Sequence, residues 1–439
     1  MNRSMDLLEH VRSLSFPTPL PQTLHLVEQQ FDAPRLNDVA QAARRAMAAD
    51  GLLAPVRAGD HVAVAVGSRG IRNLPLIVRE VLSALRARGA VPFIVPAMGS
   101  HGGATPAGQR QMLHELGVTE EAVGAEIRAT MDVVRIGQVA GGPCLYQDAH
   151  AAAADHTFLV ARVKPHTDFH GALESGLTKM CVIGLGKRTG AEAMHALGAA
   201  GFRRFLAPAA RVYERASNVI GGLGIVENAL DETAEIHGVP MRAMGTEVES
   251  ALLERARTLM ARLPFDHIDV LAIRQIGKDI SGTGMDTNIV GRVMIPRQPE
   301  SGHPDVAVIA VLDLSASTHG NAAGMGLANV VSHRVVAKTD WTATYTNSIT
   351  SGIFGMWRVS MPITMADDRR TLEVAVRCCG EMPERARIVC IEDTLHIDRL
   401  WVSESLLEEV RANPRLRVVG SDPLAFREDG AMEAPWPMA

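Results

Sequence analysis

The stretch HTFLVARVKPHTDFHGALESGLTKMCVIGLGKRTGAEAMH, His156 to His195, runs from an apolar β-branched segment through a polar, glycine-rich one into a stretch of helical period. A strand that ends in polar residues and leads into a helix is the repeating unit of an α/β fold. From Lys164 to His195 the segment holds three histidines, three lysines and six glycine or serine positions. A core requires no such set, so this is read as an active-site segment.

The same pattern recurs on either side. HVAVAV at His61 to Val66 is followed by GSRGIRNLP and then by LPLIVREVLSALRARG, which closes at Gly89 where a helix C-terminal cap belongs. VPFIVPAMG leads into SHGGATPAGQRQMLHELG, and a helix is predicted to begin at Thr105-Pro106, a hydroxyl cap before a first-turn proline. Helices are expected around Ala191 to Leu206 and Glu247 to Leu263. IDVLAIRQIG then ends in KDISGTGMDTN, and VAVIAVLDL ends in SASTHGNAAGMGLAN. Ligands of open α/β sheets collect at the carboxyl ends of strands, so these polar strand ends are expected to line a cleft.

LPFDHID, Leu263 to Asp269, interrupts a helical pattern before a fresh strand. The expected architecture is therefore two α/β domains with a ligand cleft between them. Residues 1–265 form the N-terminal, cofactor-binding domain, on which 400–439 is available to pack back, and residues 266–399 form the C-terminal domain. TLEVAVRCCG and ARIVCIEDT read as two more strands, SESLLEEVRAN as a terminal helix, and the aperiodic tail REDGAMEAPWPMA as loose.

With 439 residues and 47% hydrophobic content the chain can bury a large core. Its 44 basic and 49 acidic residues give a net charge of -5 without a basic stripe, so nucleic acid and anionic membrane are poor partners and a small molecule is the better one. The five cysteines are odd in number and the only close pair, Cys378-Cys379, is adjacent, which fits neither a disulfide framework nor a zinc knuckle. There is no signal-peptide pattern in MNRSMDLLEHVRSLSF and no run of roughly 18 apolar residues. The cytoplasm is the expected compartment.

Gly99 to Thr105, GSHGGAT, places amides and a hydroxyl at a helix N-terminus, which suits a phosphate, although a plain glycine-rich turn would read the same. GLGKRTG at Gly184 to Gly190 fails the P-loop pattern because position 181 is Cys and Arg188 follows the lysine. Gly67-Ser68-Arg69-Gly70 lacks the dinucleotide-binding spacing. Of the 16 histidines, His10, His25, His114, His237 and His396 are assigned to the structural background. His101, His166 and His170 stand at predicted strand ends and His195 follows a glycine-rich loop. Imidazoles in one cleft suit zinc, but HExxH is absent; they also suit nickel. Lys179 reads by itself as a surface lysine.

Together these residues resemble the nickel-pincer nucleotide-dependent lactate racemase family, within the 2-hydroxyacid racemases and epimerases. The likeness is carried by Gly99, His101 and Thr105, by Pro165-His166, by Ser175-Gly176 leading to Lys179, and by His195 sixteen residues after that lysine. It implies an isomerase whose lysine, Lys179, is joined to a pyridinium-3,5-bisthiocarboxylic acid mononucleotide nickel complex. His195 would complete the nickel coordination, and Arg72, Thr105, Ser175 and Gly176 would contact the cofactor. It implies proteins that make the cofactor as partners. Inversion at C2 would proceed by hydride transfer to the pyridinium and back, with a general base on each side of the substrate. His101 is one; for the other, His166 matches the Pro-His motif while His170 lies nearer the family spacing to the lysine.

The sequence also departs from the family. The acidic residue and Arg-Pro after the first strand are replaced by Ser68-Arg69-Gly70-Ile71-Arg72-Asn73, which keeps only Arg72. After Asp286-x-Asn288, Tyr-Gln-x-x-Lys gives way to Ile289-Val290-Gly291-Arg292. The expected substrate is therefore a 2-hydroxyacid other than lactate. Gly291 would open space, Arg292 would grip a carboxylate in a bidentate fork, and Lys278 would address a further polar group. Two other readings stand beside this one: a zinc-dependent hydrolase using the same histidines, and a non-catalytic binder of the nickel cofactor or of a sugar acid.

Overall fold

The structure, a computed structural model, describes residues 3–68, 70–300 and 302–433. Asp32–Met260 forms one compact unit, and Met1–Phe31 together with Ala261–Ala439 forms the other. Each is an α/β unit.

The Asp32–Met260 unit is built on a five-stranded sheet in the order Val91–Pro96, His61–Val66, His156–Arg162, Val219–Glu227, Thr233–Pro240. The first four strands are parallel and the last is antiparallel. Val62 to Val66 are fully buried, as expected of a central parallel strand covered on both faces. The helix Leu74–Ala87 packs Leu74, Ile77, Val78, Val81, Leu82 and Leu85 inward at helical spacing, and Gly89 follows it with φ +79°. Thr105 caps the helix Pro106–Glu115 by accepting from the amide of Gly108 at 3.1 Å, so the expected start is the observed one.

The strands Val219–Glu227 and Thr233–Pro240 gave no sequence signal, because the first, VIGGLGIVE, is interrupted by glycines. Those glycines answer to packing: a Cβ on Gly222 would lie 2.3 Å from the Leu159 carbonyl oxygen of the neighbouring strand.

The other unit carries an eight-stranded sheet in the order Ile363–Met365, Val330–Ser332, Asp305–Leu314, His267–Ile276, Ile388–Ile391, Arg399–Val402, Thr23–Gln29, Leu416–Pro423. It is parallel as far as Ile388–Ile391 and antiparallel beyond. The division differs from the expected one. Thr23–Gln29 is an interior strand between Arg399–Val402 and Leu416–Pro423, so these three strands complete this sheet rather than the Asp32–Met260 unit.

Two further expectations are corrected here. TLEVAVR lies in a helix, Asp368–Cys378, because Asp367 caps it at the Arg370 amide and Leu372, Ala375, Val376 and Cys379 share an inward stripe. The tail is not loose as far as it is described: Met432 donates its amide to Asp368 at 2.8 Å and bridges Phe426. Its last six residues lie outside the described ones, as does Arg69. All five cysteines are free thiols. Among the described residues no helix is long and apolar enough to cross a membrane.

Candidate functional site

In the five-stranded sheet the chain leaves strand 61–66 for a neighbour on one side, 91–96, and later adds 156–162 on the other side. The crevice at the carboxyl ends of 61–66 and 156–162 is thus a topological switch point, where open α/β sheets bind ligands. Ser68 follows the first of these strands and Lys164-Pro165-His166 follows the second.

The loop after strand 156–162 is closed by a backbone bond from the Lys164 amide to the Ser175 carbonyl at 3.2 Å, so Ser175 acts here through its main chain. Glu174 fills the inside of that loop. Its buried carboxylate accepts from the amides of His166 at 2.5 Å and Gly171 at 2.9 Å, from the His170 ring at 3.3 Å, and from the Arg257 guanidinium. Burial would raise its pKa, but the His170 contact and the two amides outweigh this and hold the carboxyl below its ordinary value. Of the two candidates for the second base, the structure turns half-exposed His170 toward Glu174 and places His166 against Lys179.

Lys179 ends a short helical turn, Leu177–Lys179, which passes directly into a π-helical turn, Met180–Leu185. Such turns are rare and concentrate at functional sites. The first turn is pinned by buried Glu249, which accepts from the Thr178 amide at 2.9 Å, from its hydroxyl at 2.5 Å and from the Gly245 amide at 2.9 Å. Gly176 is required by this arrangement, since a Cβ there would come within 2.8 Å of Glu249 Oε1. The wider turn is held by buried Tyr213, whose single hydroxyl proton is shared between the carbonyls of Cys181, at 2.6 Å, and Tyr146.

The Nζ of Lys179 contacts Nε2 of His166. The other ring nitrogen of His166, Nδ1, accepts the amide of Asp168 at 3.0 Å, so in the neutral ring the proton belongs on Nε2, the atom facing the amine. A ring in that state donates from Nε2 to the Lys179 nitrogen, a bond that only the uncharged amine can accept. His166 also lies 4.6 Å from the Phe169 ring, Phe169 stacks on Phe202 at 4.6 Å, and Phe202 lies 5.3 Å from His195, all between ring centroids. The Lys179 Nζ is 6.0 Å above Phe169. One aromatic ladder therefore links His166, Lys179 and His195.

His195 ends the helix Lys187–His195 and donates from Nδ1 to the Ala191 carbonyl at 2.7 Å. That bond fixes the tautomer and puts the ring lone pair on Nε2, the state in which imidazole ligates a metal. Burial, with a contribution from the nearby Lys179 charge, lowers its pKa and keeps the ring neutral. Among the described residues no three His, Cys, Asp or Glu side chains come together as a metal-binding set. A structural or hydrolytic zinc needs three or four protein ligands, whereas a metal that brings its own carbon and sulfur donors needs one.

His101 follows strand 91–96 and its Nδ1 lies 2.5 Å from Ser68 Oγ across the end of strand 61–66. Its turn is tied to the Lys179 segment, because the Gly99 amide donates to Gly184 in the π-helical turn at 3.2 Å. The GSHGGAT segment packs tightly on its own helix: a Cβ on Gly108 would stand 1.9 Å from the Gly102 carbonyl oxygen. Thr105 is engaged locally, accepting from Gly108 and donating to the Gly102 carbonyl at 3.1 Å.

Arg72 presents an exposed side chain to a shallow cleft that it lines with Arg35, Asn73, Glu232 and Thr233, while its amide donates to buried Glu227 at 2.6 Å.

In the other unit, the substrate role expected of Arg292 meets an occupied guanidinium. It donates to the Leu327 carbonyl at 2.9 Å, Asn329 Oδ1 at 2.6 Å, and the carbonyls of Val306 at 2.9 Å and Ala307 at 3.3 Å. Gly291 opens no space, since a Cβ there would meet the Pro304 carbonyl oxygen at 1.9 Å. Lys278 donates its amide to Thr318 at 3.0 Å and its ammonium to the Gly282 carbonyl.

Glu174, Glu249, Phe169, Phe202 and Tyr213 carry no sequence signal that marks them for this site. Phe169, three residues after His166, and Glu174, directly before Ser175, lie nearest the motifs.

No protein-family profile matches the chain, and no curated protein does. Among solved structures, the chain is similar to the lactate racemase apoprotein from Thermoanaerobacterium thermosaccharolyticum, with 12% identity and a TM-score of 0.45 over 88% of this chain and 94% of that one. It is also similar to a Thermotoga maritima protein, with 11% identity and a TM-score of 0.45 over 62% of this chain and 70% of that one.

Proposed function

We propose that this protein is a racemase or epimerase of a 2-hydroxyacid that carries a nickel-pincer nucleotide on Lys179. The observation that supports this reading most is the aromatic ladder joining His166, Lys179 and His195 beside a topological switch point. It gathers an amine, an imidazole that donates to that amine and a second imidazole with its lone pair on Nε2, which is the set that a tethered, self-chelated metal cofactor needs.

When bound, such a cofactor supplies a pyridinium that takes a hydride from C2 and a nickel that tunes it. The remaining work falls to the chain. Lys179, on a helical turn fixed by Glu249, sets the position of the tether. His195 offers Nε2, with its tautomer set by Ala191. His166 and His101 move the hydroxyl proton, one for each enantiomer, because imidazole titrates near neutrality and serves in both directions. The Phe169 and Phe202 rings shield the centre from water, which strengthens each of these polar contacts.

We propose a substrate other than lactate on the replacement at 289–292 alone, without a role for Arg292. The test is intact-mass measurement after co-expression with the cofactor-making proteins, followed by assay of C2 hydrogen exchange on lactate, malate and sugar acids. An adduct with exchange supports the proposal, an adduct without exchange makes the protein a binder, and zinc with no adduct overturns it.

A further inference from the structure

Behind the His101 turn lies a group of polar side chains that the functional reading does not use. Gln109, Asp148 and Lys187 are all completely enclosed. Lys187 also has φ +53°, a left-handed conformation that a lysine keeps only where its surroundings impose it. Its Nζ donates to the Pro96 carbonyl at the end of strand 91–96 and to Gln109 Oε1 at 2.9 Å, and lies 3.0 Å from Asp148 Oδ2. Burial pulls the lysine pKa down and Asp148 opposes this. Enclosing an ammonium is costly even with a partner, and an apolar pair of the same volume is often as stable. The contacts of Gln109 suggest what the charge accomplishes.

A carboxamide has one accepting end and one donating end. Because Lys187 can only donate, Gln109 must turn its oxygen toward the lysine and its NH2 toward the turn. There Nε2 donates to the Gly99 carbonyl at 2.9 Å and to the His101 carbonyl at 3.3 Å. These are the two carbonyls that bracket Ser100, and the second belongs to the residue whose ring meets Ser68.

We propose that Lys187 is a positioning residue for His101: by fixing the orientation of Gln109, it holds the Gly99–His101 turn and so the imidazole against Ser68. The significance of His101 rests on the proposed function, whereas the chain of contacts from Lys187 to the turn does not. Lys187 is therefore excluded as a second cofactor anchor and acts from inside the core.

The test uses the full chain and needs neither cofactor nor turnover, so its failure is distinct from failure of the racemase reading. The ring resonances of His101, identified by their loss in His101→Ala, are titrated by NMR in the native protein, Lys187→Met, Gln109→Met and the double variant. Amide exchange of residues 99–105 is followed in parallel. Gln109→Met keeps the Lys187–Asp148 pair and the side-chain volume, so it is expected to fold. If Lys187→Met does not fold, Lys187→Met with Asp148→Asn removes both charges and takes its place.

The expected result is a displaced His101 titration and about tenfold faster exchange in 99–105 in each single variant, the size of one lost hydrogen bond. The double variant should show no further change, because both act through one contact. An unchanged His101 titration in Gln109→Met, or single effects that add in the double variant, would overturn the proposal and leave the three residues as a core strut.

Discussion

Nε2 of His166 faces the Nζ of Lys179 thirteen residues further along the chain, and the Asp168 amide on the opposite ring nitrogen decides which side of the imidazole carries the proton. A lysine is nucleophilic only as the neutral amine, and a neutral His166 that donates from Nε2 can bond only that uncharged form. The pair thus gives Lys179 a chemical distinction that its sequence neighbourhood did not.

Lys179→Ala is expected to abolish any covalent adduct seen by intact mass after co-expression with the cofactor-making proteins. Lys187→Met should retain it, since Lys187 is enclosed and ion-paired with Asp148. Peptide mapping that places the added mass on Lys187 would show the site to be wrongly assigned.

His195→Ala should lower nickel retained after desalting, because it removes the imidazole whose tautomer is set by Ala191. His101→Ala should keep nickel and lose C2 exchange by about a hundredfold or more, the usual contribution of a positioned acid or base. Equal metal loss in both variants, measured by elemental analysis, would end this division of roles.

Glu174 gives stability a predictable acid dependence. Its folded-state pKa lies below the ordinary 4.5, so on acidification the unfolded chain takes up the proton first. Its contribution is complete above pH 4.5 and is lost as the pH falls from there through the lower folded value. Urea midpoints between about pH 7 and about pH 3 should fall less steeply in Glu174→Gln than in the native protein. Parallel curves would show that the carboxylate is not what holds the 166–171 loop.

Glu249→Ala should cost about 3 kcal/mol in chemical denaturation, because it leaves the Thr178 amide and hydroxyl and the Gly245 amide without their buried acceptor. Gly176→Ala should be destabilising by the opposite route, pressing a methyl against the same carboxylate. A loss under about 0.5 kcal/mol in both would mean that the helical turn before Lys179 is held by something else.

The strand, loop and helix units at 61–89, 91–115 and 156–195 are legible in the sequence because β-branched runs, caps and glycines there all agree. The switch-point position of His166 follows from them once the strand order is known, which no single sequence reveals. The helix at Asp368–Cys378 reads as a strand because Val374 and Val376 are β-branched, and its cap at Asp367 outweighs that preference. Glu174 and Glu249 were invisible for another reason: a glutamate in sequence is nearly always a solvated one, and only the donors brought to it by distant segments mark it as buried. Arg292 shows the reverse error, a residue with the right chemistry whose donors the fold had already engaged.

The bond from Thr178 to Glu249 spans seventy-one residues. A chain emerging from the ribosome presents the KPHTDFH loop and Lys179 well before the glutamate that anchors them, and until residue 249 has emerged the turn bearing the lysine has no buried acceptor. Domains generally fold as units during synthesis. Under the proposed function, competence to receive a tethered group would therefore arrive late, with the helix Glu247–Leu259 that carries Glu249.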